Sequence, residues 1–138
     1  ENISEYILRS HNFVIDAIDQ TLVKISLAEY CLEQDIQFLM TGGAGGKKDP
    51  SKIKLTDLRK TYGDPLLSRI RQYFNKKNST KASIHKIPTI FSDEPIIKPI
   101  VCEGEVVLND LNCAGYGSTL NVTATFAFLA VSYTLDNL

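Results

Sequence analysis

Long apolar runs are absent. Nothing in the chain approaches the ~20 consecutive apolar residues of a membrane span, and no signal-peptide pattern opens it. Cysteine is scarce, with three in 138 residues. The two histidines lie at positions 11 and 85 and no Cys-x-x-Cys spacing occurs, so neither a disulfide-dense miniprotein nor a zinc site is predicted. Gly-x-Ser-x-Gly is missing. The Gly42–Gly46 run followed by Lys47-Lys48 lacks the Gly-Lys-Ser/Thr ending of a phosphate loop, and no strand is predicted before it. Carboxylates are scattered rather than paired in apolar surroundings. No catalytic, cofactor-binding or metal-ligating residues are predicted, and the chain reads as a non-enzyme.

What is present is enough for a core. With 43% apolar and 22% charged residues, the chain reads as one domain over 1–138. The formal net charge of −1 hides a partition into blocks of −5 over residues 1–46, +9 over 47–86 and −5 over 87–138. Such an asymmetry speaks of partners and assembly rather than of fold. A start at Glu1 in place of Met reads as a processed or trimmed product.

Glycine and proline are missing altogether from residues 1–41. Within that stretch Val14, Ile18, Ile25, Leu32 and Leu39 recur at spacings of four or seven. The periodicity predicts one long amphipathic helix from about Ser4 to Leu39, a spine over 1–40. A connecting region over 41–99 follows. In it Asp49-Pro50 and Asp64-Pro65 each read as an N-cap followed by proline at the first helical position, giving two short basic helices over about 51–62 and 65–76. Pro88, Pro95 and Pro99 punctuate an extended stretch.

From residue 100 β-branched and aromatic residues predict strands at Val101–Leu108 and Thr119–Thr134. The last would be a central strand covered on both faces, since Val122, Ala124, Phe126 and Phe128 alternate with Ala127, Leu129, Val131 and Tyr133. The expected fold class is α+β, a long N-terminal helix packed on a C-terminal antiparallel β-sheet over 100–138.

Glu5-Tyr6-Ile7-Leu8-Arg9-Ser10 resembles the Tyr-x-x-Arg-Ser/Ala segment of the first helix in type IV pilins, and Ala17, Lys24 and Ala28-Glu29-Tyr30 fall near further positions of that pattern. The predicted element order is similar to that family too. The resemblance implies a non-catalytic subunit of an extracellular filament at the cell surface, self-assembling with identical or related subunits. It would touch the membrane only through a missing N-terminal segment. It also makes Cys102 and Cys113 candidates for a disulfide closing the sheet region. On the residues alone, two reduced core cysteines fit equally well.

The basic block carries the alternative. Lys47, Lys48, Lys52, Lys54, Arg59, Lys60, Arg69, Arg71, Lys76 and Lys77 could contact an anionic surface, with Lys81 and Lys86 beyond them. Tyr62, Tyr73 and Phe74 could supply stacking faces, which gives an intracellular, cytoplasmic nucleic-acid-binding module over 47–86. Alternatively the same charges face the acidic blocks of neighbouring subunits or of the same subunit.

Overall fold

The computed structural model describes residues 2–7, 10–78, 86–96 and 117–138. The first forty residues do not form one helix. After a 3-10 turn (Ile3–Glu5) come strand β1 (Phe13–Asp16), helix α1 (Thr21–Glu33) and strand β2 (Gln37–Thr41). β1 and β2 are parallel, Val14 beside Phe38 and Asp16 beside Met40. The segment is therefore a βαβ unit with α1 as its crossover. The heptad-like row is broken up accordingly: Val14 and Leu39 lie on strands, and only Ile25 and Leu32 of that row lie on α1. No glycine was needed at the exit of α1, because Asp35 itself adopts a left-handed backbone (φ 55°), a conformation Asp tolerates better than most residues.

The middle region holds strand β3 (Ile53–Asp57), helix α2 (Pro65–Asn78) and strand β4 (Pro88–Ser92). Asp49-Pro50 does cap a helix, but only the single 3-10 turn Pro50–Lys52, after which the chain becomes β3 instead of the expected helix over 51–62. The Asp64-Pro65 reading succeeds. Gly63 turns the chain with φ +69°, and the Asp64 carboxylate accepts the Leu67 N–H at 3.0 Å, an N-cap in the ordinary sense.

The sheet has the order β1-β2-β4-β3, with β1, β2 and β4 parallel and β3 antiparallel at one edge. It is mixed and Rossmann-like, not antiparallel. One face packs Val14, Phe38, Met40 and Phe91 against Ile25, Ala28, Leu67 and Ile70 of α1 and α2. The other packs Leu39 and Ile90 against Val122, Phe126 and Ala130 of helix α3 (Leu120–Leu135). The alternation of Phe38, Leu39 and Met40 between faces is the two-residue period of a strand covered on both sides.

α3 replaces the strand expected over 119–134. Its buried residues recur every four positions, while Phe128, Val131 and Leu135 on the outer side are exposed. Apolar residues on both sides hid the helical period. Thr125 and Thr134 fit because their hydroxyls donate to the carbonyls of Asn121 and Ala130, at 2.7 and 2.8 Å. Because Phe128 is 74% exposed, Phe128→Ser is expected to change unfolding free energy by less than ~0.5 kcal/mol. The strand reading required a core-sized loss, and chemical denaturation decides between them. The strand expected at Val101–Leu108, Cys102 and Cys113 lie outside the described residues.

Candidate functional site at the carboxyl ends of the parallel strands

In an open α/β sheet, ligands bind in the crevice beyond the carboxyl ends of the parallel strands, where backbone ends and helix N-termini converge. Here that edge gathers the end of β1 with the start of α1, the glycine run after β2, and the end of β4.

Asp16 ends β1 and is fully buried. One carboxylate oxygen accepts the Ile18 N–H at 3.0 Å, and the other lies 2.9 Å from Nζ of Lys24, which is also fully buried. Beyond that ion pair, neither Oδ2 of Asp16 nor Nζ of Lys24 has a hydrogen-bond partner among the described residues. Burial pushes the Asp16 carboxyl up and the Lys24 ammonium down, and their mutual attraction opposes both shifts. The Asp16 carbonyl also accepts the Thr41 hydroxyl at 3.0 Å, tying the ends of β1 and β2 together. Three residues further on, Asp19 is exposed at the entrance to α1. Its charge, with that of Asp64, favours the charged form of Lys24.

The glycine run leaves β2 directly, so a strand does precede it. Gly42 donates to the Ile90 carbonyl at 2.8 Å, and Gly43 donates to Asp64 Oδ2 at 2.8 Å. A Cβ on Gly42 would stand 2.4 Å from that same oxygen and 2.8 Å from Leu67 Cδ1, so the backbone approach itself requires glycine. Gly46 turns with φ +70°. Lys47 then runs inward, 2% exposed, and donates to the Ser92 carbonyl at 2.8 Å. Burial holds its ammonium below the ordinary lysine range, against the attraction of Asp64, Glu94 and Asp93. Glu94 accepts the N–H groups of Lys48 and Asp49.

The structure does not gather the basic block. Lys47 is buried at this edge, whereas Lys54 pairs with Asp93, Arg59 with Asp57 and Lys77 with Glu29. Arg71 donates to the Thr61 carbonyl. Lys48, Lys52, Lys60 and Lys86 are exposed at separate places along the chain, Arg69 and Lys76 are exposed on α2, and Lys81 lies outside the described residues. Of the aromatic side chains expected to stack, Phe74 is in the core. Sequence reasoning missed Asp16 and Asp19, and read Asp64 only as the cap of α2. The signal available was a charged Asp16 closing the apolar run Phe13-Val14-Ile15. Lys24 was noticed only for its pilin-like position.

Comparison with known proteins identifies the company this chain keeps. It is 41% identical, over its whole length, to the tRNA threonylcarbamoyladenosine dehydratase of Haemophilus influenzae and 35% identical to that of Escherichia coli. It covers 54% and 56% of those two proteins, so it spans about half the length of the curated relatives it matches. Among solved structures, E. coli tRNA N6-threonylcarbamoyladenosine dehydratase, TcdA, in complex with ATP superposes with a TM-score of 0.78 at 36% identity. The AMP complex gives 0.77, and both superpositions cover 98% of this chain and 51% of the other. No protein-family model matches. These findings overturn the pilin resemblance and the expectations built on it: the filament subunit, the non-enzyme, self-assembly with pilin-like subunits and the extracellular location. The nucleic-acid module over 47–86 fares no better as an account of the whole. The relatives of this chain are tRNA threonylcarbamoyladenosine dehydratases, which are enzymes, and not type IV pilins.

Proposed function

We propose that this chain is part of an ATP-dependent tRNA threonylcarbamoyladenosine dehydratase and that its adenine nucleotide sits at the carboxyl ends of β1, β2 and β4. The observation that carries this reading is the 41% identity over an alignment that spans the whole chain. The chemistry of that edge supports it. Phosphates are held by cationic side chains and by backbone N–H groups that can be approached closely. At that edge the exposed start of α1 supplies backbone N–H groups, and Lys48, just past the Gly42–Gly46 loop, is an exposed cation. Asp19, exposed at the entrance to α1, is placed to take a cation that accompanies the phosphates or a proton from the substrate.

ATP, when bound, turns a poorly leaving substrate oxygen into a good leaving group, which is what loss of water requires. The protein's part is to hold the phosphates and the reacting oxygen in register, a positioning task that contributes much of any such rate enhancement. A tRNA-modifying role agrees with the cytoplasmic alternative. The test is incubation of the full natural chain with ATP and threonylcarbamoyladenosine-bearing tRNA, followed by nucleoside mass analysis. Loss of one water from the modified nucleoside, dependent on ATP, is the expected result. An unchanged nucleoside with ATP present would overturn the assignment.

A further inference from the structure

Asp64 does two things at once. Its Oδ1 accepts the Leu67 N–H at 3.0 Å and so caps α2, and its Oδ2 accepts the Gly43 N–H at 2.8 Å across 21 positions of sequence. The side chain is enclosed, 4% exposed, and the backbone of Gly42 passes so close that no side chain fits between them. The loop leaving β2 is thereby pinned to α2 at Gly43, pinned to β4 through Gly42 and the Ile90 carbonyl, and closed at its far end by Lys47 on the Ser92 carbonyl. Two of those anchors are strand-end contacts any such loop could make. The Asp64 contact is different, because it fixes the loop to a helix through one side chain.

We infer that Asp64 is a positioning residue: it clamps the glycine loop against the N-terminus of α2 and so sets the loop geometry on which nucleotide binding depends. The second half of this inference rests on the proposed function; the clamp itself does not. A capped helix alone needs only one acceptor, which Ser supplies as well as Asp. The second oxygen, bonded to Gly43, is the part a purely structural cap would not require.

Asp64→Ser separates the roles, since a serine hydroxyl caps α2 and cannot also reach Gly43. In this variant Tm is expected to stay within about 4 °C of wild type. Exchange of the Gly43 amide hydrogen is expected to accelerate about tenfold or more, and the Kd for ATP to weaken about tenfold. Asp64→Ala should add faster exchange at the first turn of α2 and a larger fall in Tm. Unchanged Gly43 exchange in Asp64→Ser would overturn the clamp. Faster Gly43 exchange with unchanged ATP affinity would overturn the positioning role. Wild-type protein that binds no ATP would overturn the nucleotide reading and the positioning role with it, while Gly43 exchange would still decide the clamp.

Discussion

Lys24→Met is expected to lower the unfolding free energy by about 3–5 kcal/mol, because it leaves a carboxylate buried with no opposite charge. Asp16 and Lys24 are both fully enclosed, 2.9 Å apart. Neither can turn to water when its partner is lost. The pair is weak evidence for net stability, since desolvating two charges offsets much of their attraction; the large effect comes from breaking it one-sidedly. Asp16→Asn combined with Lys24→Met should therefore recover much of the loss, as Asn keeps an acceptor for the Ile18 N–H. Urea unfolding of the two single variants and the double gives the cycle. Additive losses would show that the two side chains are not coupled.

Gly42→Ala is the second large effect. The added methyl would meet the Asp64 carboxylate oxygen at 2.4 Å and the fully buried Leu67 at 2.8 Å. Neither neighbour is free to yield, because Asp64 is held at both oxygens and Leu67 is locked in the core. Overpacking of this kind costs about 1–3 kcal/mol, and here it also displaces the loop. Gly43→Ala is the control: its Cβ would lie 3.8 Å from Asp64 Oδ2, an ordinary contact. It should cost under ~1 kcal/mol. Equal losses in the two variants would contradict the close approach at Gly42.

The contrast between these neighbouring glycines shows what the chain wrote plainly and what it did not. α2 was legible, because Gly63-Asp64-Pro65 combines a left-handed turn, a cap and a fixed first φ in three residues. The βαβ unit was not. Its strands are only four and five residues long, and Asp35 turns the chain where glycine would have announced the break. A seven-residue recurrence then matched a helix by coincidence. α3 was misread for the opposite reason: apolar residues on its exposed side erased the period that burial of Val122, Phe126 and Ala130 would otherwise show. The site suffered from the first error. Once residues 1–40 were read as a helix, no strand could precede the glycine run, and nothing joined Asp16 to Lys24. Their pairing is a tertiary fact, created when α1 folds back over the end of β1.

The central claim is that adenine nucleotide binds where β1, β2 and β4 end. Its most direct test is titration of the isotopically labelled protein with ATP while backbone amide resonances are followed. The account predicts that the shifted amides cluster at Ile18–Thr21 and Gly42–Lys47, with Arg69–Lys77 on α2 unmoved. Shifts confined to the basic residues of α2 and β3, or none at all, would contradict it.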